Sequence, residues 1–376
     1  MGASVKKVLH VAGARPNFMK IAPLVRAFEA RGVAAPICHT GQHYDATMSR
    51  LFFDELSIPR PAVNLEVGSG SHAAQTAAVM SRFEGVLLDQ KPDLVVVVGD
   101  VNSTMACALV CAKLLVPVAH VEAGLRSYDR TMPEEVNRVV TDAVSDLLYC
   151  SEPSGVANLA KEGIAGDRVQ LVGNVMIDTL LAHRARARLT GARERLAPAG
   201  EYAVVTMHRP ANVDSAAVAR PLVEALAAVA SRLPIAFPMH PRTRAAFAGH
   251  GLLERLTAGG RVALVEPLGY LEFLDLMAGA RLVLTDSGGV QEETTVLAVP
   301  CLTLRPNTER PVTVDEGTNR VVGTDPAAVV RAAEEALAAL PRGRTPDLWD
   351  GRAAGRVADH VVGRAVLGRA REVTGA

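Results

Sequence analysis

Leu94-Val95-Val96-Val97-Val98-Gly99-Asp100 decides the fold class. Five consecutive apolar residues, four of them β-branched, cannot alternate between a core and a solvent face, so they predict a strand buried on both sides. Such strands belong to parallel sheets covered by helices. On either side lie comparable runs: KVLHVAG (7–13), APICHT (35–40), VPVAHVEAG (116–124) and DLLYCS (146–151). The intervening amphipathic stretches 73–89, 103–115 and 134–145 read as helices, which makes the series βαβ. It ends around VQLVGNVMIDTL (169–180), where the Arg- and Ala-rich HRARARLTGARERLAPAG (183–200) reads as a domain junction. A second series follows with EYAVVTMH (201–208), PIAFPMH (234–240), RVALVEP (261–267), RLVLTDS (281–287) and PCLTLR (300–305). Residues 214–232 read as a helix with Leu222, Leu226 and Val229 on its apolar stripe and Asp214 as candidate cap. The expected architecture is α/β, two Rossmann-like doubly wound domains facing an interdomain cleft: residues 1–180, residues 200–350, and a last amphipathic helix over 352–371. The closing segment 351–376 is expected to pack back toward the first domain.

The 376 residues carry 40 Lys plus Arg against 40 Asp plus Glu. A chain of zero net charge offers no diffuse field for nucleic acid or an anionic membrane, so any anionic ligand must be met by local charge. The longest uncharged apolar stretches, such as Val101 to Ala112, fall short of the roughly 18 residues that a bilayer span needs. Lys6-Lys7 before VLHVAGA imitates a signal peptide, but the run stops early and reads as a first strand. Five cysteines (Cys38, Cys107, Cys111, Cys150, Cys301) without a Cys-x-x-Cys pair suit buried, reduced thiols in a cytoplasmic protein. Cys107 and Cys111 stand one helical turn apart with no third ligand at metal spacing, so no metal site is expected.

In open α/β sheets, ligands bind beyond the carboxyl ends of strands. Polar residues recur there: Gly13-Ala14-Arg15-Pro16-Asn17 with Lys20 one turn on, Gly99-Asp100, Glu122-Ala123-Gly124-Leu125-Arg126, His208-Arg209, His240-Pro241-Arg242 and Asp286-Ser287-Gly288-Gly289. Any one could be a cap, a turn or an ion pair; their repetition at one topological position points to a site. Asp286-Ser287-Gly288-Gly289 opens a helix carrying Gln291, Glu292 and Glu293. Helix-start amides suit a diphosphate and a carboxylate one turn along suits a ribose diol, while a Ser-capped helix with dipole-favouring glutamates reads equally from the same residues. The chain has no Gly-Lys dipeptide, hence no P-loop, and Gly68-Ser-Gly-Ser-His lacks the third glycine of a dinucleotide fingerprint; neither ATP nor NAD is implied. Arg15, Lys20, Arg209 and Arg310 would supply charge for a nucleotide diphosphate. Asp100, Glu122 and Glu134, with His208, would form acid/base machinery in a shared cleft. Glu134 and Glu135 are also ordinary first-turn glutamates after Pro133.

The blocks GARPNFMKIAPL (13–24), TGQHYD (40–45), VVVVGDVNST (95–104), HVEAGLRS (120–127), MPEEVNR (132–138), VGNVMIDTL (172–180), HPRTR (240–244), LTDSGGVQEE (284–293) and TERP (308–311) resemble the non-hydrolysing UDP-N-acetylglucosamine 2-epimerases over nearly the whole chain. The resemblance implies a GT-B type fold, an interdomain active site, a homodimer, and no metal or redox cofactor. It implies Asp100, Glu122, Glu134 and His208 as catalytic residues, and Arg15 and Lys20 as the basic pair of the first domain. It further implies Ser287 and Gly288 at the diphosphate, Glu293 at the ribose, Phe273 beside the uracil, Arg310 on a phosphate, and His240 and Arg242 at the cleft. The implied reaction is reversible inversion at C2 of UDP-N-acetylglucosamine. Loss of UDP lets a carboxylate remove the weakly acidic C2 proton, giving a 2-acetamidoglucal to which UDP re-adds.

Two departures accompany the match. Where many relatives read His-Arg-x-Glu, this chain reads His208-Arg209-Pro210-Ala211. Several bacterial relatives are activated by substrate at a second site resembling Gln-His-x-x-Gln and Arg-Gln-Thr; here these read Gln42-His43-Tyr44-Asp45 and Ala74-Gln75-Thr76. An added carboxylate and a lost guanidinium disfavour a diphosphate, so activation is expected to be weak or absent. Initial velocity against UDP-N-acetylglucosamine should be hyperbolic, and a strongly sigmoidal curve would contradict this. Two rivals share the pattern: a GT-B glycosyltransferase, which would need an acceptor pocket rather than three carboxylates, and a C2 epimerase of a UDP-2,3-diacetamido-uronic acid. A non-catalytic sugar-nucleotide sensor would be expected to lack some of Asp100, Glu122, Glu134 or His208.

Overall fold

The computed structural model describes residues 5–41, 53–339 and 343–364, apart from the side chain of Arg15. The Gln42-His43-Tyr44-Asp45 stretch lies outside the described residues. The chain divides into two compact units, Met1–Thr179 with Asp347–Ala376, and Leu180–Pro346.

The first unit holds β1 (Val8–Ala12), β2 (Ile37–His39), β3 (Val63–Asn64), β4 (Leu94–Val98), β5 (Val118–Val121), β6 (Leu147–Cys150) and β7 (Val169–Leu171) in one parallel sheet, order β3-β2-β1-β4-β5-β6-β7. The second holds β8 (Ala203–Thr206), β9 (Ile235–Pro238), β10 (Val262–Val265), β11 (Leu282–Thr285), β12 (Cys301–Thr303) and β13 (Asn319–Val321), order β10-β9-β8-β11-β12-β13. Both are doubly wound, and the α/β class read from the apolar runs holds. The register is tight at the centre: Val95 stands beside Val118 and Leu9 beside Val95. Every residue of β4 is buried, as a strand packed on both faces requires. The short β3, β7 and β13, two or three residues each, carry too little pattern to be read in advance.

Both sheets reverse their winding between the first and fourth strands of their series, at β1/β4 and at β8/β11. A crevice opens at such a reversal because the flanking connections leave in opposite directions. Of all the polar strand ends, those after β1, β4, β8 and β11 are therefore singled out.

The 183–200 segment follows directly on the division at Thr179/Leu180 and is partly helical: helix Val175–Arg188 runs through 183–188, and Ala192–Leu196 is helical again, since Ala and Arg are strong helix formers. Two local expectations need correction. The 214–232 helix starts later, at Ala216 after N-cap Ser215, because Pro210–Val213 forms its own short helix. Asp214 does not cap it; its carboxylate pairs with Arg242 at 2.5 Å. The last helix spans Ala353–Gly363, and residues 365–371 of the expected helix lie outside the described residues.

The last helix joins the first unit. Asp178 caps its start from outside, accepting the amides of Ala353 (3.1 Å) and Ala354 (2.7 Å). The buried Trp349 donates its Nε1 to the Ser151 carbonyl at 2.9 Å. Desolvation raises the Asp178 carboxyl to about 6 although the two amides favour its ionised form. No helix among the described residues is long and apolar enough to cross a membrane.

Candidate active site

In the first unit, the site is built from the segments that leave β1, β4 and β5. The turn after β1 is closed by Asn17, whose Oδ1 accepts the amides of Gly13 (3.0 Å) and Ala14 (2.9 Å) and whose Nδ2 donates to the Val98 carbonyl at 3.0 Å. One side chain thus ties the ends of β1 and β4 together. One helical turn on, Lys20 reaches Glu122 after β5, and the two form an ion pair with both side chains buried. Gly99 lies against this pair: a Cβ there would stand 3.1 Å from Lys20 Nζ and 3.2 Å from Glu122 Oε2, at φ +69°. A side chain would crowd the pair and strain the turn, so glycine is required.

Asp100 comes directly after Gly99 and is one-quarter exposed. Its Oδ2 accepts from Arg138 Nη1 at 2.5 Å, while Arg138 Nη2 donates to Glu135 Oε2 at 2.9 Å. Arg138 is a fully buried guanidinium between two carboxylates. Burial works against ionisation of Glu135, but the Ser127 and Tyr128 amides and Arg138 outweigh it and hold the carboxyl below its usual range. Glu134 is half-buried in the first turn of helix Pro133–Val144, and its side chain makes no hydrogen bond or ion pair among the described residues. Of the two glutamates after Pro133, Glu135 is therefore the one held in the scaffold.

In the second unit, β8 and β11 end side by side and their polar groups interlock. Asp286 is fully buried and accepts the amides of His208 and Arg209 (3.0 Å for the latter), with His208 Nδ1 at 3.1 Å from its Oδ1. Burial disfavours the charge, yet His208 and these amides more than compensate, and the carboxyl sits below its usual range. A buried carboxylate behind a half-exposed imidazole fixes which way the ring faces. The His240 ring lies 6.2 Å from that of His208, and its Nδ1 accepts the Arg242 amide at 3.2 Å, capping helix Pro241–Gly249. The Arg242 guanidinium is turned to Asp214.

Helix Gly288–Leu297 follows β11 with Ser287 at its N-cap, where the Ser287 side chain makes no capping bond. Glu292 and Glu293 are not solvated dipole-favouring residues. Glu292 is buried against Arg310, whose Nε is 2.8 Å away, and Glu293 is buried and accepts from Tyr270 Oη at 2.9 Å. Desolvation raises the Glu293 carboxyl to about 7, the Tyr270 bond opposing. The 305–311 loop is tied to the same helix by Thr308 Oγ1 donating to Gln291 Oε1 at 2.6 Å, and is braced within itself by Arg305 Nη2 holding Glu309 at 2.7 Å. Phe273 is half-buried one turn beyond the buried Tyr270 on helix Tyr270–Ala278.

Two constellations result. Lys20, Glu122 and Asp100 gather in the first unit, and His208, Ser287, Gly288, Glu293 and Arg310 in the second. Asp286, singled out at its strand end but given no role, and Arg138, Glu135, Glu292 and Tyr270, which sequence reasoning does not mark as site residues, hold these side chains. All but Tyr270 stand inside the motif blocks, where a neighbouring charge is the available signal. Tyr270 carries none.

The UDP-N-acetylglucosamine 2-epimerase family model matches residues 26–362. The UDP-N-acetylglucosamine 2-epimerase of Methanocaldococcus jannaschii is 42% identical over 334 residues, 87% of this chain and 91% of that protein. The UDP-2,3-diacetamido-2,3-dideoxy-D-glucuronate 2-epimerase of Pseudomonas aeruginosa is 39% identical over 359 residues, 94% of this chain and 99% of that one. The crystal structure of the Methanocaldococcus jannaschii enzyme in complex with UDP-GlcNAc and UDP superposes with a TM-score of 0.86, covering 93% of this chain and 98% of that one. The chain therefore belongs to the UDP-N-acetylglucosamine 2-epimerase family and is, as an epimerase, an isomerase.

Proposed function

We propose that the protein reversibly converts UDP-N-acetylglucosamine to UDP-N-acetylmannosamine by eliminating UDP to 2-acetamidoglucal, returning a proton to the other face of C2 and re-adding UDP at C1. The observation that carries this reading is the first unit's carboxylate set: Glu122 paired with a buried lysine, and Asp100 oriented by a buried arginine. A proton at C2 can leave only as the C1 diphosphate drains the developing charge, so the reaction needs oriented carboxylates and a separate grip on UDP. Asp100, Glu122 and Glu134 serve as the acid/base groups with His208. Ser287, Gly288 and Arg310 hold the diphosphate, Glu293 the ribose and Phe273 the uracil, with Arg15, Lys20, His240 and Arg242 completing the polar contacts. The enzyme works as a cytoplasmic homodimer without metal or NAD.

A second reading, C2 epimerisation of a UDP-2,3-diacetamido-uronic acid, is favoured by the Pseudomonas aeruginosa relative. Proton NMR in deuterated water separates the two. With UDP-N-acetylglucosamine alone, the expected product is the manno epimer carrying solvent deuterium at C2. Product without deuterium, or dependence on NAD, contradicts the elimination; turnover of the diacetamido-uronic acid only supports the second reading.

A further inference from the structure

We infer that His120 and Asp142 are positioning residues that set Asp100 and Glu122 from behind, an inference that rests on the epimerase reading. His120 lies on β5, two residues before Glu122, and is fully buried. Its Nε2 is 2.9 Å from the Gly99 carbonyl oxygen, and its Nδ1 is 2.6 Å from Asp142 Oδ1. Both partners accept, so the ring spans them as a donor. The Gly99 carbonyl belongs to the peptide that leads into Asp100, and Gly99 itself is the bed of the Lys20–Glu122 pair.

Asp142 acts on the other side of Glu122 as well. Its Oδ2 accepts the Gly124 amide at 3.0 Å and Arg126 Nη2 at 2.7 Å. One carboxylate therefore grips the backbone two residues after Glu122 and, through His120, the strand two residues before it. Glu122 needs this grip, because it sits at φ +77°, a left-handed conformation that an L side chain keeps only where its surroundings over-determine it. The amides of Glu122 (2.9 Å) and Ala123 (3.1 Å) both go to the Tyr149 carbonyl, and Gly124 at φ +79° packs so closely that a Cβ would stand 2.3 Å from the Gly155 carbonyl oxygen. Burial works against ionisation of Asp142, but His120 and Arg126 outweigh it and keep the carboxyl below its usual range. A buried histidine is costly unless satisfied. Here one of its bonds ends on the segment that carries Asp100 and the other on Asp142, which in turn holds the Gly124 amide two residues after Glu122, so satisfying the ring also fixes the backbone around both carboxylates.

Two substitutions separate positioning from scaffolding. In His120→Asn the amide nitrogen replaces Nδ1, keeping the Asp142 bond and losing the one to Gly99; in His120→Gln it replaces Nε2 and does the reverse. We expect kcat of His120→Asn to fall about twentyfold with KM for UDP-N-acetylglucosamine within about twofold of wild type, since a small displacement of a reacting group costs turnover rather than binding. His120→Gln loses the bond to Asp142, but Asp142 still holds the Gly124 amide and Arg126 directly, so this variant should stay within about threefold of wild type, although both variants lose one buried bond and melt at similar temperatures. Equal losses in the two variants, a loss that follows the melting temperature, or wild-type kcat in His120→Asn overturns the inference. Failure of either variant to fold assigns His120 to the scaffold and overturns it too. A wild-type protein that yields no deuterated epimer removes the epimerase reading itself, an outcome distinct from an active wild type with two indifferent variants.

Discussion

Glu122→Gln is expected to lower turnover about a thousandfold while leaving the fold intact, because the amide fills the carboxylate's volume but cannot take a proton. Glu122 is a strong candidate for proton transfer on structural grounds. It is buried, held in a left-handed backbone conformation, and paired with Lys20. A carboxylate in such surroundings is held in one direction until it takes the proton, which is what a general base requires. The substitution leaves Lys20 without its counter-charge, so a loss of stability should accompany the loss of rate. Comparing the two locates the cause: circular dichroism and the melting temperature report the fold, and single-turnover deuterium incorporation at C2 reports the chemistry. Asp100→Asn and His208→Asn should behave similarly, with UDP binding largely retained. Near-normal turnover in Glu122→Gln would take that residue out of the reaction.

Glu293 makes the second large expectation, and it concerns stability. Its carboxyl is raised by desolvation from 4.5 to about 7 in the folded protein. The folded state therefore holds this proton more tightly than the unfolded chain does. The associated stability is fully present below pH 4.5, declines as pH rises, and is lost above about pH 7. The shift corresponds to about 3 kcal/mol. Glu293→Gln retains an oxygen for the Tyr270 hydroxyl and cannot ionise, so it should be about 3 kcal/mol more stable than wild type at pH 8 and nearly equal at pH 4.5. Thermal scans of both proteins across that range measure the difference directly, and parallel pH profiles would refute a buried, titrating Glu293. If Glu293 also holds the ribose, the stabilised variant should bind UDP more weakly, the trade expected where a strained group is kept for function.

Much was legible in the residues alone, because it rests on local chemistry. LVVVV (94–98) could only be a doubly covered strand, and each comparable run announced another. Glycine, aspartate, glutamate and histidine where those runs stop marked the ends at which ligands bind. Zero net charge left any anionic ligand to be met by local charge. What local chemistry could not supply was partnership. Lys20 and Glu122 are 102 residues apart, Asp100 and Arg138 are 38 apart, and no periodicity links them. Their meeting depends on β1, β4 and β5 lying side by side in that order, an arrangement set by the packing of whole elements. The same holds for His208 with Asp286 and for Tyr270 with Glu293. Glu134 and Glu135 show the limit most plainly. In sequence they are adjacent, equivalent first-turn glutamates; only the tertiary structure places one against a buried arginine and leaves the other half-exposed, because helix phase decides which side chain faces the core.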